Sequence, residues 1–190
     1  MTEEGDWVRA ACQGDVQAWE QLVQIYQQPI FRLAYLLLGD ADDAEDVAQE
    51  TLIRAYRSLG SFDPSRPLRP WLLRITANLS HNWRRSAGRS LTALQRLFRR
   101  ELPPEPPSQL AEQEMEAEML WKAVRQLSQA DQQVIYLRFF LDCQEAETAQ
   151  VLGVAVGTVK SRQHRALARL RAVLEKDYPQ WIKEGSDVIL

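Results

Sequence analysis

Five cations, Lys160, Arg162, Arg165, Arg169 and Arg171, crowd the stretch Gly157 to Arg171 of this 190-residue chain, and no acid falls among them. Cationic side chains on one helix can neutralise phosphates, and an arginine that reaches a guanine edge in the major groove reads it bidentately. A second set pairs cations with flat rings, since Tyr56, Phe62 and Trp83 lie in sequence beside Arg54, Arg57, Arg66, Arg69, Arg84 and Arg85. Unstacked bases gain about 1–3 kcal/mol each on aromatic platforms, so this pairing suits a single nucleic-acid strand. The third set is acidic. Asp40 to Glu50 holds six carboxylates and no base. Within that run and just beyond it, Asp46, Gln49, Glu50 and Ile53 follow i, i+3, i+4, i+7 spacing, which places them on one helical face. A solvated surface is the ordinary fate of a charge run and stands as the alternative for the basic and the acidic sets, while core packing is the alternative for the aromatic residues and accounts for Trp19 and Trp71.

Other chemistry is missing. No Ser/His/Asp set, paired carboxylates, nucleotide loop or metal motif is visible, so the sequence offers no catalytic centre. Two cysteines and two histidines stand far apart, without metal-ligand spacing, and no cofactor is expected. Cys12, Cys143, His81 and His164 read as structural or incidental. The richest apolar run, Leu33 to Leu38, is far shorter than the roughly 18 residues of a membrane span, so no membrane insertion is expected. The opening residues lack the basic start and apolar stretch of a signal peptide, and the expected location is the cytoplasm. Net charge is only −3, but it is blocked: Arg84 to Arg100 carries six arginines without an acid, and Glu101 to Glu118 six glutamates without a base. Two basic faces set between acidic ones suggest two polyanion contacts and a separate partner.

Those residues need helices to position them. The 3.6-residue apolar period recurs throughout, with no hairpin turn or sustained alternation, and the fold class is all-α. Asp15 caps a helix with Ala18, Trp19, Leu22, Val23 and Tyr26 inward, and Pro29 opens a second, nearly all-apolar helix closed by Gly39. Asp40 caps a third that runs to about Leu59, where Gly60 stops it. Three prolines stiffen the loop from Ser61 to Pro70, and a fourth helix covers about Trp71 to Arg85. From Ser86 to Ser108, Gly88 and the Pro103 to Pro107 cluster break the pattern into a flexible, Pro-rich linker. A second helical block follows, with Met115, Met119, Val124 and Leu127 on one stripe and Ser128 capping the next helix with Asp131. Glu145 to Leu152, Gly153 and Thr158 to Leu174 then read as short helix, turn and basic helix, a helix-turn-helix whose second helix enters the major groove. Thr158 falls in the cap region of that helix, where its hydroxyl serves the helix or a phosphate.

Three segments in this order resemble the extracytoplasmic-function (group 4) sigma factors of bacterial RNA polymerase. Asp43-Ala-Glu-Asp-Val-Ala-Gln-Glu-Thr51, with Arg54 to Asp63 after it, is similar to the family's polymerase-binding helix and the start of its melting region. Pro70-Trp-Leu-Leu-Arg-Ile-Thr-Ala-Asn78 with Arg84 and Arg85 is similar to its −10 recognition helix. Gly157-Thr-Val-Lys-Ser-Arg-Gln-His-Arg-Ala-Leu167 with Leu170 and Arg171 resembles its −35 recognition helix. The likeness covers about Gly14 to Leu174. It departs at Leu127-Ser128, where the family usually has Leu-Pro, at Asn82, where it often has Asp, and in the loose Glu145 to Gln150 pattern.

The resemblance implies two small helical domains: 1–88 for polymerase binding and the −10 element, a linker over 89–112, 113–176 for the −35 element, and a tail over 177–190. It implies that Asp46, Gln49, Glu50 and Ile53 dock on a basic coiled-coil surface of the β′ subunit. Tyr56, Phe62, Asp63, Arg66, Trp71, Asn78, Trp83, Arg84 and Arg85 fall on its −10 and melting element, with the Ser61 to Leu68 loop pocketing a flipped base. Thr158, Lys160, Ser161, Arg162, Arg165 and Arg169 fall on the −35 element. Implied partners are core RNA polymerase, through its β′ and β subunits, promoter DNA and an anti-sigma factor that clamps both domains. A stand-alone helix-turn-helix regulator would account for the last helix but not for the acidic motif or the arginine-aromatic cluster. A helical enzyme has no residues to support it.

Overall fold

The structure is a computed structural model, and it describes residues 3–90 and 118–179. These carry helices and turns and no strand. The first half holds α1 (Glu3–Cys12), α2 (Val16–Leu38), α3 (Ala41–Ser58) and α4 (Leu68–Ser90), with a 3₁₀ turn, Leu59–Ser61, after α3. The second half holds α5 over 118–125, α6 (Gln129–Ile135), which runs on as a π-helical turn through Tyr136–Phe140, then α7 (Glu145–Leu152) and α8 (Val156–Asp177).

Local chemistry sets most of the ends. Asp15 and Asp40 accept backbone N–H bonds from Ala18 and Asp43 and so cap α2 and α3. Gly39 closes α2 in the left-handed region at φ +77°, which a side chain there would strain. Three boundaries differ from the sequence expectation. Pro29 opens no new helix, since it lies inside α2, whose buried stripe of Tyr26, Ile30 and Leu33 continues on both sides of it. The burial outweighs the one hydrogen bond that proline forfeits. The helix α4 begins at Leu68 and not at Trp71, with Pro70 in its first turn, where a missing N–H costs nothing. It then continues through Gly88 to Ser90, past the break expected at Ser86. The expected linker beyond residue 90, Met115 and most of the tail lie outside the described residues.

Two apolar clusters build the first domain. One joins Val8, Trp19, Leu22, Tyr26, Ile30, Ala55, Leu59, Leu68 and Leu72, and a smaller one joins Ala34, Ala44, Val47 and Leu79. The third cluster crosses the chain: Leu33, Leu36, Leu37, Leu73 and Ala77 of α2 and α4 pack in one body with Val124, Tyr136, Leu137, Leu141, Val151 and Leu170 of the second half. One ion pair bridges the same junction, Arg69 to Glu147 at 3.5 Å, with both side chains about a quarter to a third exposed. Such a pair contributes about 0–1 kcal/mol, whereas each large apolar side chain removed from water contributes roughly 1.5–3 kcal/mol. The apolar cluster therefore holds the domains together, and the ion pair adds little to it.

Candidate nucleic-acid interface

The helix-turn-helix forms as α7, a turn and α8. Glu147 accepts the Gln144 backbone N–H at 2.9 Å and so fixes the start of α7. Gly153, at φ +66°, ends it and turns the chain. Ala155, not Thr158, is the N-cap of α8, because the helix already starts at Val156. Thr158 is half-buried and its N–H bonds to the Ala155 carbonyl at 2.9 Å, so it belongs to the first turn.

One side of α8 is anchored by buried Val159, Ala166, Leu170 and Leu174, which leaves Lys160, Ser161, His164 and Arg165 exposed. Lys160 lies 3.4 Å from Glu145 of α7, and Arg165 donates to the Ser161 carbonyl at 3.1 Å. Arg162 is half-buried. Arg169, whose side chain is more than half exposed, is also held within the domain. It pairs with Asp131 at 2.5 Å and ties α8 to α6, because the carboxylate at the start of α6 faces this part of the helix. Arg171 is also engaged, with Glu175 one turn on at 2.9 Å. Sequence reading missed Arg138, which sits in the π-helical turn, donates to Gln163 of α8 at 3.0 Å and holds the Cys143 carbonyl. A π-helical turn is a frequent mark of a functional site, but its formation here has no local sequence signal.

The aromatic-cation set divides. Phe62, half-buried, packs against Trp71 at 4.7 Å between ring centroids, and exposed Tyr56 lies 5.7 Å from the buried Trp19. Between them the loop is bonded into shape: Asp63 accepts the Ser65 N–H at 3.0 Å and hydroxyl at 2.7 Å, and the Arg66 N–H bonds to the Asp63 carbonyl. The hydroxyl and the backbone N–H of Ser65 hold the Asp63 carboxyl below its ordinary value. Arg66 is exposed at the loop crown. Trp83 is not brought to this group, since twelve residues of α4 place it roughly 18 Å along the axis from Trp71. Arg84 donates to the Leu37 carbonyl at 3.3 Å, and Asn78 opens into a cleft of about 400 Å³. Arg85 is exposed beside them.

On α3, Asp46, Gln49 and Ile53 are exposed together and Glu50 is half-buried. Glu50 pairs with Arg54 at 2.6 Å, and Gln49 donates to Glu45 at 3.3 Å. Ile53 is 44% exposed, an apolar residue at the end of an acidic strip.

Two family models fall on these two halves. Sigma-70 region 2 matches residues 22–90, and Sigma-70 region 4 matches residues 117–170. The chain is 31% identical to the ECF RNA polymerase sigma factor SigW of Bacillus subtilis (strain 168), over 88% of this chain and 94% of that protein. The chain belongs to the extracytoplasmic-function sigma factors. Such a factor initiates transcription by recognising DNA and is not an enzyme; sigma factors bind RNA polymerase and promoter DNA. The fold is also similar to CnrH, solved in complex with the cytosolic domain of CnrY, at TM-score 0.70 and 28% identity over 92% of this chain and 98% of that one. It is similar as well to the sigma factor RpoE of Bartonella quintana, solved in complex with the anti-sigma factor NepR, at TM-score 0.66 and 27% identity over 84% and 98%. Among the described residues of this sigma factor, no helix is long and apolar enough to cross a membrane and no group of ligands could hold a metal.

Proposed function

We propose that this sigma factor docks on the β′ subunit through Asp46, Gln49, Glu50 and Ile53 of α3, reads a −35 duplex through α8, and holds a melted −10 strand at the Ser61 to Leu68 loop and α4. The observation that carries this is the loop. Its crown is set by the Asp63 to Ser65 bonds and its prolines, and it rests on the Phe62–Trp71 pair next to the start of α4. A loop shaped before binding loses less ordering entropy when an unstacked base docks on it. Exposed Arg66 supplies the phosphate contact, and Asn78 with Arg84 and Arg85 continue the track along α4. On α8, Lys160, Ser161, Arg162 and Arg165 face the groove, with Thr158 in the first turn. The second domain also meets the β subunit, the factor works in the cytoplasm, and an anti-sigma factor of its own controls it. Support for that last partner comes from the two solved relatives, one of which is held by the cytosolic domain of CnrY and the other by NepR.

The test uses a promoter recovered by run-off transcription of genomic fragments with reconstituted holoenzyme. Permanganate footprinting then reports unpaired thymines with sigma alone, with core polymerase, and with core plus a chain whose Phe62 to Leu68 segment is replaced by Gly-Ser. Reactive thymines are expected only in the second case, with −35 protection kept in the third. Opening that survives the loop replacement would overturn the melting assignment.

A further inference from the structure

Helix α1 lies ahead of the residues matched to Sigma-70 region 2, and none of the docking or promoter residues falls on it. It sits behind the Ser61 to Leu68 loop. Gly60, Ser61 and every residue from Asp63 to Pro67 are exposed, so this stretch enters the core only at Leu59, Phe62 and Leu68. Buried Val8 and Ala11 of α1 belong to the apolar cluster that holds Leu59 and Leu68, and Trp7, Ala10, Cys12, Phe62 and Trp71 pack against the same cluster. The helix also lies against the 3₁₀ turn Leu59–Ser61. Cys12 Sγ is 3.9 Å from the Phe62 carbonyl oxygen, and burial raises the thiol above its ordinary value, so it stays protonated and can donate. Two bonds pin α1 in turn: the Tyr26 hydroxyl donates to the Glu4 carboxylate at 2.5 Å, and the Asp15 N–H to the Ala10 carbonyl at 3.1 Å.

Local bonds shape the crown of the loop but do not fix where it stands. The bonds from Asp63 to Ser65 and Arg66 lie within the crown and move with it. Its place relative to α4 is set by Leu59, Leu68 and the Phe62 ring, which meets Trp71 at 4.7 Å. A gap of about 0.5–1 Å forfeits roughly a quarter to a half of a dispersion contact, so stacking on Phe62 depends on where its backbone is held. With water in place of α1, Leu59 and Leu68 would shift with the loop, and a docking base would have to order all of them.

We propose that α1 is a positioning element for promoter opening: Val8, Ala11 and Cys12 form the back wall of the Ser61 to Leu68 loop and hold Phe62 where an unstacked base docks. This rests on the assignment of that loop to the melted strand.

The experiment uses full chains bound to core polymerase and fluorescent −10 non-template strands of the promoter recovered above, intact or with one base at a time replaced by an abasic site. The chain whose Phe62 to Leu68 segment is Gly-Ser marks which abasic effects belong to the loop. Wild type should bind at least tenfold more weakly when the base at the loop is missing. Val8→Ala should bind the intact strand at least fivefold more weakly than wild type, yet match it within twofold on the strand abasic at that position. Abasic effects elsewhere should stay as in wild type. Val47→Ala makes the same truncation in the smaller cluster, about 18 Å along the helix axis from Leu59, and should keep the tenfold effect even where its Tm falls as far. Cys12→Ala, a milder change, should cut the abasic effect at the loop at least threefold, and it decides by itself if Val8→Ala fails to fold. A uniform loss on every strand, the same flattening in Val47→Ala, or a tenfold effect kept in both α1 variants overturns the positioning role. If the loop replacement removes no abasic effect, the loop assignment falls and the role of α1 falls with it.

Discussion

Arg169 of α8 reaches the Asp131 carboxylate of α6 at 2.5 Å, and that carboxylate is only 4% exposed although the guanidinium is more than half in water. Ser128, the N-cap of α6, donates its hydroxyl to the same oxygen at 2.7 Å. One buried acid thus joins the start of α6 to the basic helix, so the orientation of α8, the helix proposed to read DNA, depends on a carboxylate carried by another helix.

Replacing Asp131 with Ala should lower stability by about 1–2 kcal/mol. A fully buried pair broken on one side costs more, but water already solvates much of Arg169, which discounts the loss. Thermal unfolding followed by circular dichroism should show a clear drop in Tm. An unchanged Tm would mean that the bond is incidental.

Asp46→Lys with Glu50→Lys should abolish binding to core polymerase while changing stability by no more than about 0.5 kcal/mol, because both residues lie on the surface and Glu50 gives up only its exposed pair with Arg54. Gel filtration of the variant with core enzyme checks this. Co-elution at wild-type affinity would remove α3 from the docking surface.

Arg165→Ala should weaken promoter binding by holoenzyme by roughly 1–3 kcal/mol and relax preference at one −35 position, as expected for a base contact. Arg171→Ala should weaken all sequences alike and reduce the salt slope, since its exposed guanidinium can leave the surface pair with Glu175 for a phosphate, a contact that carries no sequence information. Binding isotherms on a panel of single-base variants at two salt concentrations separate the two. Equal, sequence-independent losses would rule out direct readout by Arg165.

Burial pushes the Cys143 thiol up to about 11 from an ordinary value near 9. A raised folded value means that the unfolded chain loses its proton first. The contribution is therefore whole below about pH 9 and lost as pH rises through about 11. Urea midpoints for wild type and Cys143→Ala should converge between pH 8 and pH 11, wild type falling further. Parallel pH profiles would show that the thiol does not titrate with unfolding.

What could be read from the sequence was what the chain decides locally. Asp15, Asp40 and Ser128 cap helices because a short oxygen-bearing side chain next to an apolar period has one nearby set of N–H groups to satisfy. Gly39 and Gly153 end helices because each takes a positive φ. The three motif segments carry their order with them, so the family was legible too. Pro29 misled because a proline's local cost is visible in the sequence while the burial of Tyr26, Ile30 and Leu33 around it is not. The bond of Arg169 could not be read because its partner, Asp131, is 38 residues away. Nothing in the spacing of Leu33, Leu37 and Leu73 says that they pack against the other half, since an apolar stripe looks the same whichever surface covers it. Arg69 could be found as one of a basic cluster, but its pairing with Glu147 has no signature along the chain.

The shared cluster of Leu73 and Ala77 with Tyr136 and Val151 bears on how such chains diversify. Helices that touch DNA by themselves could be exchanged as cassettes between relatives, each carrying its own promoter preference. Here one stripe of α4 is cut to fit the other half, so a graft of α6 to α8 from a relative would leave Arg69, Leu73 and Ala77 facing a foreign wall. The halves are modular for reading and matched for fit, and drift in either one is constrained by the shape of both.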